Sequence, residues 1–173
     1  GDVSTWNTSN VAGSAHQAFV RTALNRDLSG WQTGKITSMT SMFRQATRFN
    51  GAVGTWDTSR VTSFKQMFYG ASSFNQDLPW DVSSGTSFYR MFYGAGAFNG
   101  TLSGWTFGSF TYVHQSNSVQ KMFGNTPFTG KGVGSWDVSK LTTIQEMFND
   151  ALSFDGDVST WNTSNVAGSA HQA

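Results

Sequence analysis

Apolar residues fall along this chain in runs spaced three and four positions apart. Ile36, Met39, Met42 with Phe43, Ala46 and Phe49 form one run. Val61, Phe64, Met67 with Phe68, Ala71 and Phe74 repeat it, as do Leu141, Ile144, Met147 with Phe148, Ala151 and Phe154. Such spacing puts the apolar positions on one face of a helix. Ser and Thr at the start of each run are the residue types that cap a helix by accepting its orphan amide hydrogens. Between the runs, pieces such as AVGTWDTS and TLSGWTF are rich in Val, Leu, Trp and Thr, are bounded by Gly, and are too short for a second helix. They predict a turn and a short strand.

The pattern recurs on a fixed beat. Tryptophans stand at Trp6, Trp31, Trp56, Trp80, Trp105, Trp136 and Trp161, at intervals of 25, 25, 24, 25, 31 and 25. Met-Phe pairs ending in Phe43, Phe68, Phe92, Phe123 and Phe148 follow at a constant distance, except that the fifth unit carries six extra residues. Ala18-Phe19 takes that slot in the first unit, where VAGSAHQAF stands in place of the second unit's ITSMTSMF and predicts an irregular element. A unit of one strand and one helix cannot bury its own apolar stripe, but stacked neighbours can, with tryptophan on tryptophan and Met-Phe on Met-Phe. The expected fold is therefore an α/β solenoid, leucine-rich-repeat-like, each coil of about 25 residues giving a short parallel strand and a short helix. Its coils run approximately 1–25, 26–50, 51–75, 76–99, 100–129 and 130–155, within one domain. The seven tryptophans and the five Met-Phe phenylalanines form the expected core ladder.

Phrases such as FNGAVGTWDTSRVTSFKQMFYGASSFNQDLPWDVS resemble the repeat of the BspA-like bacterial surface proteins, relatives of leucine-rich repeats that also occur in mycoplasma lipoproteins. The resemblance covers essentially the whole chain. It implies a cell-surface or secreted solenoid used for adhesion and protein contact, with no general catalytic site.

Composition narrows the partners. Charged residues make up 12% of the 173, the net charge is +1, and no Lys/Arg cluster appears in the sequence, so nucleic acid has little electrostatic reason to bind. No stretch reaches the roughly 18 consecutive apolar residues of a membrane span. Without cysteine there is neither a disulfide framework nor a thiolate metal site.

Candidate chemistry is sparse. His16, its copy His171 and His114 make no metal or triad pattern, and no catalytic, cofactor or metal residue is assigned. Asp2, Asp27, Asp77 and Asp157 share one slot and Asp57, Asp81 and Asp137 another, which predicts ladders of turn hydrogen bonds. A Ca²⁺ ladder is the sharper alternative, but Ala52, Thr101, Asn7 and Gln32 interrupt the two series. The insertion in the fifth unit offers Phe107, Phe110, Tyr112 and His114 as an uncharged aromatic contact loop, or else a flap over the core. Asn7, Asn99 and Asn162 open N-x-S/T sequons that would accept a glycan in a secreted protein.

One longer period remains. The eighteen residues from Gly1 to Ala18 are repeated letter for letter from Gly156 to Ala173, 155 positions on, so 156–173 reads as the start of a next block. The expectation is a structural protein, one stretch of a long tandem-repeat extracellular fibre or surface filament whose partners are copies of itself, covalently continuous or end to end. The alternative is a cell-surface adhesin recognising a protein or glycan.

Overall fold

The computed structural model describes residues 2–108 and 119–166. Its coils stack in register, but they are not built as the periodicity predicts. Among the described residues there is no α-helix. Regular structure amounts to β1 (Gly13–Ser14), β2 (Ile36–Ser38), which pair in parallel, and one 3-10 turn at Val133–Ser135. Isolated parallel bridges join Ser38 to Ser63, Ser63 to Ser87 and Thr106 to Asp137. The α/β coil with a helix in each repeat is thus overturned.

In place of each expected helix lies a ribbon of tight turns. Amide groups alternate along it. In the second coil the N–H groups of Met42, Arg44 and Ala46 donate three residues back, to Met39, Ser41 and Phe43. Those of Met39, Ser41, Phe43 and Gln45 donate instead to Ser63, Lys65, Met67 and Tyr69 of the next coil, at 2.7–2.9 Å. A helix would spend every interior amide on itself and leave none for its neighbour. Left-handed residues four apart make the alternation possible: Ser41 and Gln45, Gln66 and Gly70, Arg90 and Gly94, Lys121 and Asn125, Glu146 and Asp150, all with φ between 53° and 69°. A turn ribbon with this four-residue rhythm buries positions three and four apart, just as a helix does.

Ring spacing independently excludes helices. Packed helices sit about 8–10 Å apart, whereas hydrogen-bonded strands sit about 4.8 Å apart. Phe43, Phe68, Phe92, Phe123 and Phe148 stack from coil to coil with centroids 5.4–5.6 Å apart. One such pair could join two helices, but five equivalent rings in a row at this spacing require a coil-to-coil pitch near that of hydrogen-bonded strands.

The core is continuous along the stack. Phe49, Phe74, Phe98 and Phe128 form a second phenylalanine column, and within each coil its ring lies on the Met-Phe ring at 3.8–4.4 Å. Asn25, Asn50, Asn75 and Asn99 make a polar column beside it. Each side-chain oxygen accepts the backbone N–H at the same position one coil on, that of Asn99 accepting from Thr129. AVGTWDTS, expected as turn and strand, forms turns without a strand; Thr106 in TLSGWTF makes one bridge.

The expected caps also find other work. Thr40 and Ser63 share a hydroxyl hydrogen bond of 2.7 Å between adjacent coils, and the hydroxyls of Thr37, Thr62 and Thr86 each donate to a carbonyl one coil back.

Candidate functional site

The most regular feature of the stack is the tryptophan column. Its indoles stack at 5.7–6.3 Å with interplanar angles of 14° or less in the pairs Trp6–Trp31, Trp31–Trp56, Trp56–Trp80, Trp105–Trp136 and Trp136–Trp161. From Trp31 onward, each indole N–H also reaches one coil back to a fixed carbonyl. Trp31 donates to Val3, Trp56 to Leu28, Trp80 to Val53, Trp105 to Leu78, Trp136 to Leu102 and Trp161 to Val133, at 2.5–3.0 Å. Stacking alone leaves register free; this bond fixes it.

The repeated stretch meets its neighbours through opposite faces. In its first copy Val3 supplies the carbonyl to Trp31, and Trp6 lies under Trp31 at 6.2 Å. In its second copy Trp161 lies over Trp136 at 5.7 Å and donates to Val133. One sequence therefore docks as the coil below a partner and as the coil above one. Trp6 is 56% exposed, and Trp161 is half-buried.

The aspartates serve turns. Asp57 and Asp137 accept from the amides of Ser59 and Ser139, Asp57 from the Ser59 hydroxyl as well, and Asp157 accepts from the Ser159 amide. Hydrogen bonds from these serines hold all three carboxyls below the ordinary range. Asp77 instead accepts from Thr101 N in the next coil, and its acidity rises for the same reason. No three of His, Cys, Asp or Glu converge as metal ligands among the described residues.

The predicted contact loop divides. Phe107 is fully buried, edge-on to Phe88, Trp105 and Trp136, and so belongs to the core. Phe110, Tyr112 and His114 lie outside the described residues, as does His171. His16 is exposed beside the Ser14 hydroxyl. Of the sequon asparagines, Asn7 and Asn162 are exposed at the corner after tryptophan and accept from Ser9 and Ser164. Asn99 is half-buried within the asparagine column.

A feature missed in the sequence lies on the outer side of the turn ribbon. Tyr69 and Tyr93 stack at 5.5 Å, with Arg44 over Tyr69 at 5.3 Å and Arg90 over Tyr93 at 5.4 Å and over Tyr89 at 5.0 Å. Lys65 covers Tyr89 at 5.7 Å, and Asn125 donates to the Tyr93 hydroxyl. These residues are scattered along the chain, but Tyr69 and Tyr93 share the position after the Met-Phe pair. That shared slot was the available signal.

Rings, amides and carboxamides in register from coil to coil define a repeat protein of stacked coils. The chain belongs to the family described as "Mycoplasma protein of unknown function, DUF285", whose model matches residues 1–51, 13–118 and 111–171. No curated protein and no solved structure matches it.

Proposed function

We propose that the chain is a structural element, a stretch of a long extracellular or cell-surface fibre in which blocks of 155 residues follow one another as one unbroken stack. The observation that carries this reading is the double use of the repeated stretch: residues 2–11 support Trp31, and the identical residues 157–166 rest on Trp136. A single copy with Trp136 beneath and the next block's counterpart of Trp31 above would satisfy both contacts. Val158, the copy of Val3, is placed in the sequence to offer the same carbonyl. The resemblance to BspA-like surface repeats supports the surface location.

The test joins two blocks in one polypeptide so that a single copy of the eighteen residues serves both. Small-angle scattering should show one stiff rod twice as long as a single block. Two units tumbling independently about the junction would overturn the proposal. Adhesion through the fifth-unit insertion has less support, because Phe107 is committed to the core.

A further inference from the structure

Charge is unevenly placed on this nearly neutral molecule. On the described turn ribbon from the first coil to the fifth, every charged side chain is a cation: Arg21, Arg44, Arg48, Lys65, Arg90 and Lys121. Carboxylates enter it only in the sixth coil, with Glu146 and Asp150, and Glu146 is paired to Lys121 at 2.7 Å. The aspartates that balance the total, among them Asp27, Asp57, Asp77, Asp81 and Asp137, lie off the ribbon. A cationic strip thus runs along one side of the stack, with three half-buried tyrosines in it.

Two of these cations are incompletely satisfied. The Nε atoms of Arg44 and Arg90 are buried and have no hydrogen-bond partner among the described residues. Each guanidinium lies over a tyrosine ring, which attracts the charge but accepts no N–H in the strong sense. A buried donor without an acceptor is costly, and a planar guanidinium is suited to a carboxylate or sulfate oxygen pair. Each Nε is itself covered, so an anion would meet these half-buried side chains at their outer guanidinium nitrogens.

We propose that this strip binds an anionic polysaccharide, a chain of uronic or sulfated sugars laid along the stack across Arg44, Tyr69, Arg90 and Tyr93. Three classes of anionic polymer compete, and the geometry separates them. Single-stranded nucleic acid binds by stacking bases on open aromatic faces. Here Tyr69 and Tyr93 cover each other, and Arg44 and Arg90 cover further faces. An acidic peptide commonly adds to a backbone edge. Here the ribbon amides of Phe64, Gln66, Phe68 and Gly70 are spent on the following coil at 2.8–2.9 Å. What the strip does present is guanidinium groups and partly exposed tyrosines, the groups that meet sugar hydroxyls and acidic substituents.

Affinity electrophoresis through gels containing polygalacturonate, heparin, neutral dextran or polyglutamate tests this, using the whole chain. Retardation is expected in polygalacturonate or heparin and not in dextran, weakening as salt rises. Binding to only one of the two acidic glycans identifies the anion as carboxylate or sulfate and supports the proposal. Arg90→Gln and Arg44→Gln should each weaken binding by about tenfold, the loss expected for a hydrogen-bonded charge. Arg60→Gln, off the ribbon, should leave it unchanged, and thermal melting confirms that each variant folds. Equal retardation by dextran, polyglutamate binding as tight as that of the glycans, or wild-type affinity in the Arg44→Gln, Arg90→Gln double variant would overturn it.

Discussion

Trp56 donates its indole N–H to the carbonyl oxygen of Leu28, 2.8 Å away in the preceding coil. The same oxygen accepts the backbone N–H of Trp31 at 3.0 Å, so both of its lone pairs are used, one within the coil and one between coils. Val3, Val53 and Val133 carry the same pair of bonds. A tryptophan here is at once a packed ring and a register pin.

The two roles separate in Trp56→Phe, which keeps a stacked ring and removes the donor. Trp56 is 4% exposed, so the Leu28 oxygen would lose a partner away from water. The expected cost is about 1–3 kcal/mol, read from urea unfolding midpoints. Trp6→Phe at the 56% exposed position should change stability by no more than about 0.5 kcal/mol.

The left-handed positions give a sharper test of the ribbon, because they distinguish it from a helix. Gln66 has φ 54°, where a β-branched side chain is strained and glycine is not. Gln66→Val should lower stability by about 1–2 kcal/mol, and Gln66→Gly should be neutral or stabilising. In a helix the order would reverse, since glycine is the poorer helix former. Thermal melting of the two variants decides between the backbones.

The period of the repeat and the membership of its columns were legible in the sequence; the backbone carrying them was not. Ile36, Met39, Phe43 and Ala46 are all buried, as a helix face requires, yet a turn ribbon buries the same set. Periodicity could not separate the two. The separating signal was one slot occupied in the last four coils by Gly70, Gly94, Asn125 and Asp150, residue types that tolerate left-handed backbone and serve poorly inside helices, although Arg21 and Gln45 hold it in the first two. Gln66, Arg90 and Lys121 occupy the other left-handed slot and disguise it, being good helix formers. Phe107 was misplaced for a related reason: being next to an insertion suggested a loop, and nothing local shows that Phe88 and Trp136 close around it.

Acid should loosen the stack at its corners. Asp57, Asp137 and Asp157 have folded pKa values held below their ordinary value by serine hydrogen bonds. A depressed carboxyl contributes stability above its ordinary pKa and loses it as pH falls through the folded pKa. The melting temperature should therefore be insensitive to these groups near neutral pH and fall below about pH 4. Asparagine already fills the corner of Asp57 and Asp137 in two other coils, at Asn7 and Asn162, accepting from Ser9 and Ser164. Changing Asp57 and Asp137 to asparagine should accordingly preserve their turns and make the acid limb of a melting-temperature profile, measured from pH 6 to pH 2, shallower, the remainder belonging to carboxyls such as Asp77 and Asp157.

The first coil is underfilled, and filling it should stabilise the protein. Ala18 donates its N–H to Ala15 as Met42 does to Met39, so two alanines stand where the second coil has two methionines. The extra residue that shifts this coil is absorbed by the irregularity between Gly13 and Ser14, with Gly13 at φ 75°. Beside these alanines lies a groove of about 320 Å³, bordered by Trp6, Val11, Phe19, Trp31 and Met42. Methionine is flexible enough to fill such a space without forcing a rotamer. Ala18→Met should raise stability by about 0.5–2 kcal/mol, the usual return on filling a cavity. In the joined two-block polypeptide, where another coil covers Trp6, the same substitution at the junction should gain more than in the single block, because its side chain would be removed from water on both sides. Denaturant unfolding of the four proteins measures both gains, and an equal effect in the two contexts would show that no coil seats against that face.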